Sequence, residues 1–223
     1  MTAFGPLQGT VVGPGDKLLI VLMHGFGAPG DDLVPLAGAL NLPEARFVFL
    51  EAPEPMPPPY PGRMWWMIDV GRFENAMRTG ALDALEKAEP EGLSASSRAV
   101  AAALRAVRER FPAGKMVVGG FSQGSMVALD VAASTDVEME ALVLLSSTLM
   151  ARSRWFPALQ KRENFPCFQS HGTEDPVLPF VQAQRLRAEL ESAGVSVDWH
   201  SFTGGHGIPP ETLASLQNFL SRL

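Results

Sequence analysis

The chain has 223 residues, enough for one sizeable core, and α/β folds of this length are routinely single domains. Hydrophobic residues make up 46% and charged residues 19%, the profile of a globular protein that dissolves in water, so the whole of 1–223 reads as one domain. The formal charge of −6 and the lack of any Lys/Arg block argue against a surface that tracks phosphates, so nucleic acid is not an expected partner.

The opening M-T-A-F-G-P-L-Q has neither a basic start nor an apolar stretch, and Cys167 is a lone thiol that cannot pair within the chain. The apolar runs are strand-length, too short for stable membrane insertion. These features lead us to expect a cytoplasmic protein. The sequence admits a homodimer without specifying one.

In chain order, a weak strand is expected within Leu7–Val12 and a strong one at Leu18–Met23. Further strands are expected at Arg46–Leu50, Lys115–Gly120, Ala141–Ser146, Cys167–His171 and Val195–Phe202. Leu18–Met23, Lys115–Gly120 and Ala141–Ser146 are continuous apolar runs, as suits strands covered on both faces. Helical spacing links Val100, Ala103, Leu104, Val107 and Phe111 after Ser94. Gln123–Ala133 forms a second helical pattern. Ala183, Leu186 and Leu190 mark a third, with Gly194 placed to end it. The last opens at Pro209–Pro210 and carries Leu213, Leu216, Leu220 and Leu223 on one face. The alternation predicts a mostly parallel central sheet with helices on both faces. Residues 51–92 break this rhythm with P-E-P-M-P-P-P-Y-P-G, then M-W-W-M-I-D and a short helical stretch at Ala81–Lys87. So long an excursion reads as a flap-like insertion over a site.

Ser122 stands between an apolar strand and a helix, inside G-F-S-Q-G. A nucleophile on such a sharp turn is exposed at the carboxyl edge of a sheet, and the close strand–helix approach needs small residues at Gly120 and Gly124. Serine also needs a base oriented by a carboxylate. His206, in the G-G-H-G-I-P loop after the last strand, suits the base. His24 and His171 at strand ends, and His200 within a strand, suit structural roles. Asp175 in H-G-T-E-D-P-V-L-P suits the acid; Glu174 is its near competitor, and Asp198 is less well placed. The order Ser122, Asp175, His206 is that of α/β-hydrolases. Developing negative charge on a carbonyl oxygen needs donors, expected from the Gln123 and Phe26 N–H groups, Phe26 lying in H-G-F-G. The same Gly-rich turn also reads as a helix cap with Asp31 at its N-cap position.

With H-G-F-G, G-F-S-Q-G, H-G-T-E-D-P-V-L-P and G-H-G-I-P in place, the chain resembles the phospholipase/carboxylesterase family, which includes bacterial carboxylesterases and acyl-protein thioesterases. The resemblance runs from about Leu18 to the end. It implies the α/β-hydrolase fold, a triad of Ser122, Asp175 and His206, oxyanion donors at Phe26 and Gln123, and no metal or organic cofactor. It implies a serine carboxylesterase acting on small-molecule acyl esters of short to medium chain, with thioesters as an extension. Lysophospholipase, acyl-protein thioesterase or deacetylase activity is the alternative within the fold; dienelactone hydrolases would want cysteine at position 122. An inactive hydrolase-like binding module is the alternative from another class. The sequence departs from the family at Ala28, where an acidic residue is usual. It departs again where Met67 and Ile68 separate Trp66 from Asp69, and in a longer stretch from Gly71 to Glu91. Trp65, Trp66, Met67 and Ile208, with Phe26, are the expected lining of the acyl site.

Overall fold

The structure is a computed structural model that describes residues 1–69, 71, 75, 79–112, 114–162 and 164–223. Its main sheet has eight strands: β1 (Thr2–Phe4), β2 (Leu7–Val12), β3 (Leu18–Met23), β4 (Ala45–Glu51), β7 (Lys115–Phe121), β8 (Ala141–Leu145), β9 (Pro166–Gly172) and β10 (Ser196–Phe202). They lie in the order β1-β2-β4-β3-β7-β8-β9-β10. From β4 to β10 all neighbours are parallel; β1 and β2 run antiparallel at one edge. A separate two-stranded ribbon pairs β5 (Glu54–Pro55) with β6 (Arg63–Met64).

The described helices with defined ends are α1 (Pro35–Leu40), α2 (Leu82–Lys87), α3 (Leu93–Arg110), α4 (Gln123–Ser134), α5 (Arg152–Leu159), α6 (Phe180–Ser192) and α7 (Pro210–Leu220). They cover both faces of the sheet, because strand side chains alternate between its two sides. On β3, Leu19, Val21 and Met23 enter a core shared with α3, α4, α5 and α6. Ile20 and Leu22 enter a second core, shared with α1 and α7. Both faces being covered explains the unbroken apolar run of β3.

The expected strands form within a residue or two of their predicted ends. Three differences have physical causes. Asp31 caps nothing: the chain makes turns through 31–34, and α1 begins at Pro35 behind Val34, without a side-chain cap. The helix α5 tolerates Pro157 within its single pair of turns, because Trp155, Phe156 and Leu159 bury a face in the first core. It is pinned to α4, where buried Asp130 accepts from Arg154 Nε at 2.7 Å and from Trp155 Nε1 at 2.8 Å. The edge strand β1 is three residues long and held by pairing with β2, too little pattern to read from sequence.

Residues 70, 72–74 and 76–78 of the 51–92 insertion lie outside the described residues. What is described of it packs across the carboxyl ends of β3 and β7. Gly27 N–H donates to Arg63 O at 2.9 Å, and Arg63 N–H returns to Ala28 O at 3.0 Å. The approach is so close that a Cβ on Gly62 would stand 1.8 Å from Gly27 O.

Candidate active site

Ligands of parallel sheets bind beyond the carboxyl ends of the strands, and the expected triad lies there. Ser122, Asp175 and His206 stand one, three and four residues beyond β7, β9 and β10. Ser122 has φ 53° and ψ −121°, a region that a non-glycine residue occupies only under constraint. The constraint is visible on both sides. Ser122 N–H donates to Leu145 O at 2.9 Å, and Ser122 O accepts from Ser125 N–H at 3.0 Å as α4 begins. A Cβ on Gly120 would stand 2.5 Å from the Gly124 carbonyl carbon, and one on Gly124 would stand 2.1 Å from Met23 O. Strand and helix therefore meet at backbone distance, as the motif requires.

Asp175 is buried at the end of a compact turn. Its Oδ1 accepts from Val177 N–H at 2.8 Å and Leu178 N–H at 2.9 Å. Its Oδ2 faces two histidines, His206 Nδ1 at 2.7 Å and His171 Nε2 at 3.2 Å. Burial pushes this carboxyl group up, but the bonds from His171, His206 and Leu178 N–H outweigh it and hold the group well below the usual carboxylate range. Since the ionised carboxylate can only accept, His206 Nδ1 carries a hydrogen and the lone pair lies on Nε2. The one hydrogen on His171 Nε2 is shared between Asp175 Oδ2 and Leu178 O, the latter at 2.8 Å, so His171 buttresses the Asp175 turn. Glu174 is exposed, its N–H donating to Gly204 O at 2.9 Å, and Asp198 pairs with Arg222; neither reaches His206.

Ser122 and His206 open on one cavity of about 1110 Å³. Phe121, whose ring lies 4.8 Å from that of His206, lines it beside them. Phe26, Met126, Leu149, Met150 and Leu178 supply apolar wall. Trp66 and Met67 line it as expected. Trp65 and Ile208 do not. Two adjacent tryptophans in a proline-rich loop look hard to bury together, yet both are buried, on different neighbours. Trp65 packs into the first core near the His24 ring and donates its indole N–H to His24 O at 2.9 Å. Ile208 packs against the second core.

Of the expected oxyanion donors, Phe26 lines the cavity and Gln123 directly follows Ser122. Gln123 is the first residue of α4, so its N–H is one of the helix's unsatisfied donors. No described residue takes the Phe26 N–H.

Two polar letters of the motifs, Gln123 and the structural His24, make contacts that the sequence does not specify. The Gln123 side chain turns away from the serine. Its Oε1 accepts from Trp65 N–H at 2.9 Å and its Nε2 donates to Trp66 O at 2.8 Å, holding the Trp65–Trp66 backbone. His24 Nε2 accepts from Ala52 N–H at 3.1 Å, which leaves the hydrogen on Nδ1 to donate to Gly25 O at 2.8 Å. Burial keeps His24 below the ordinary histidine pKa despite that bond to Gly25, so it is neutral. Both side chains clamp the insertion and the Phe26 loop to the sheet edge. Sequence offered one signal: a polar residue in each motif that the acyl-transfer chemistry leaves without a task.

Comparison with known proteins agrees with this architecture. A profile of the family described as Phospholipase/Carboxylesterase matches residues 11–223. Acyl-protein thioesterase 1 of Neurospora crassa is 26% identical over 213 residues, covering 91% of this chain and 85% of that one. Among solved structures, esterase PE8 superposes with a TM-score of 0.82 at 24% identity, over 97% of this chain and 98% of its own. A carboxylesterase from Mesorhizobium loti gives 0.79 at 19% identity, over 97% and 95%.

Proposed function

The chain belongs to the phospholipase/carboxylesterase family and is a carboxylic ester hydrolase; on that premise we propose that it is a serine carboxylesterase working through Ser122, His206 and Asp175. The observation that carries this reading is the 2.7 Å bond from His206 Nδ1 to Asp175, with His206 and Ser122 on one apolar cavity. His206 Nε2 accepts the Ser122 proton as Oγ attacks the ester carbonyl. Asp175 holds the ring and stabilises the imidazolium that forms. The Phe26 and Gln123 N–H groups receive the oxyanion. His206 then passes the proton to the departing alcohol or thiol, and water activated by His206 releases the acid from the acyl-enzyme.

The cavity suits acyl chains of short to medium length. Its described charged lining, apart from His206, is Asp32, Asp69, Glu89 and Glu91. Four carboxylates are poor company for a phosphate headgroup, which favours uncharged esters over lysophospholipids. The kinship with an acyl-protein thioesterase keeps thioesters within the same chemistry.

Ser122→Ala is expected to lower kcat for p-nitrophenyl butyrate on the order of 10⁴-fold or more. A fluorophosphonate probe is expected to label the native protein and not this variant. Retention of more than about 1% of the activity would remove Ser122 from the mechanism.

A further inference from the structure

Gln182 lies on α6, is 2% exposed and lines the cavity. Its Nε2 donates at 3.2 Å to Oε1 of Glu86, a buried residue of α2 in the insertion. Arg185, one turn along α6, donates to the same Glu86 oxygen at 2.5 Å. The ion pair matters for the amide's direction. A carboxylate held by arginine only accepts, so the NH₂ end of Gln182 must face Glu86. The two ends of the amide are thereby told apart, and the carbonyl Oε1 is committed to the other side.

That Oε1 is buried and has no hydrogen-bond partner among the described residues. Several buried polar atoms share this property among the described residues, including those of Ser147, Gln169 and Ser170. Gln182 is the one among them whose residue lines the cavity. A buried acceptor without a donor is costly, and native proteins retain such groups where something else completes them. The rest of the nearby wall is apolar: Leu85, Val177, Leu178 and Pro179 offer no side-chain donor.

We propose that Gln182 Oε1 is a substrate-reading group, and that the preferred esters carry a hydrogen-bond donor, a hydroxyl or amide N–H, on the chain that enters the cavity. The proposal rests on the carboxylesterase reading above and deepens it. A donor satisfies the lone acceptor, whereas a plain alkyl chain leaves it buried and unpaired. Discrimination of this kind is stronger than the addition of a methylene to an apolar pocket provides. Glu86 and Arg185 act as positioning residues, since they set which end of the amide the substrate meets.

The test uses the intact protein and matched pairs of esters. One arm compares plain acyl p-nitrophenyl esters with esters bearing one hydroxyl on successive acyl carbons. The other compares alkyl esters with glycol monoesters, which place the hydroxyl on the leaving alcohol. In one arm, a single hydroxyl position is expected to raise kcat/KM about tenfold or more over the plain ester. The arm that responds names the side of the substrate that Gln182 reads. In Gln182→Met the same ratio is expected to fall to about one. The readout is a ratio on one enzyme, so a general loss of activity in the variant cancels. Ratios within about twofold of one at every position in the native protein overturn the subsite, as does a preference that survives Gln182→Met. Absence of fluorophosphonate-sensitive hydrolysis of the plain esters is a separate outcome, and it overturns the carboxylesterase reading together with the subsite.

Discussion

The carboxyl edge of the sheet and the 51–92 insertion meet at one cavity but are built by different physics. At the edge, each triad residue stands within four residues of the carboxyl end of a strand of the main sheet, so the sheet itself sets its position. The described insertion has a ribbon of two-residue strands and the six-residue α2. It is located instead by bonds between its backbone and the side chains of Gln123, His24 and Ser96, together with the backbone pair of Arg63 with Gly27 and Ala28. Chemistry is thus positioned by regular structure, and the pocket wall by a few polar clamps. Substitutions in the two regions should fail differently, the first in kcat and the second in stability and substrate preference.

Asp175→Asn should give the largest difference of this kind. An amide can present N–H toward His206 Nδ1 and stabilise the wrong tautomer, so kcat should fall on the order of 10⁴-fold while the fold and substrate binding persist. A fall in kcat of less than about tenfold, measured on protein with native unfolding behaviour, would contradict the assignment of the acid.

Gln123→Leu tests the other region from a neighbouring residue. The backbone N–H at 123 is kept, but Trp65 N–H and Trp66 O lose their partners inside the protein. Leaving these two buried groups unpaired should cost about 2–4 kcal/mol in denaturant unfolding. Gln123→Glu retains the acceptor for Trp65 N–H and should recover part of that loss. Equal stability of Gln123→Leu and the native protein would show that the clamp holds nothing.

This division also explains what could be read from sequence. The strands at 18–23, 115–120 and 141–146 announce themselves as apolar runs, and Ser122, Asp175 and His206 are legible because each sits in a local motif just past an expected strand, Ser122 directly after one of those runs. Trp65 was misplaced because its surroundings come from distant segments: the carbonyl of His24, the side chain of Gln123 and the face of α3 through Ser96. No local spacing encodes those contacts. The unpaired acceptor of Gln182 was invisible for the same reason, since its meaning depends on Glu86, 96 positions away. In Asp31 a common capping residue lost to Pro35, whose fixed backbone angle suits the first helical position, where α1 begins.

His24 allows the clamp to be tested by pH. Its folded pKa is depressed, so the unfolded chain takes up a proton first as pH falls. The stability contributed by neutral His24 is therefore full above the ordinary histidine value of about 6.5 and is lost progressively as pH drops below it toward the folded pKa. One such group gives a slope of at most about 1.4 kcal/mol per pH unit. His24→Gln, which can still accept from Ala52 N–H, should lack this component. Parallel stability curves for the two proteins between pH 7 and 5 would show that His24 does not titrate with unfolding.

The smallest effect on stability is expected at Met67, where the insertion touches the cavity without being needed to hold it. Met67 is 52% exposed yet lines the cavity beside buried Trp66. A side chain left mostly in water contributes little to folding, so Met67→Ala should change unfolding free energy by no more than about 0.5 kcal/mol. Its flexible thioether can still lie along an acyl chain once one is bound. Removing it should lower kcat/KM for the longer acyl esters by roughly two- to fivefold and leave acetate esters close to native, the size of change an apolar contact of a few methylenes gives. Trp66→Ala, by contrast, empties a buried site next to Gly92 and should cost stability on the order of 3–5 kcal/mol together with the acyl preference. If Met67→Ala keeps the native acyl-length profile, Met67 does not touch the acyl chain, and the exposed part of M-W-W-M lies outside the binding surface.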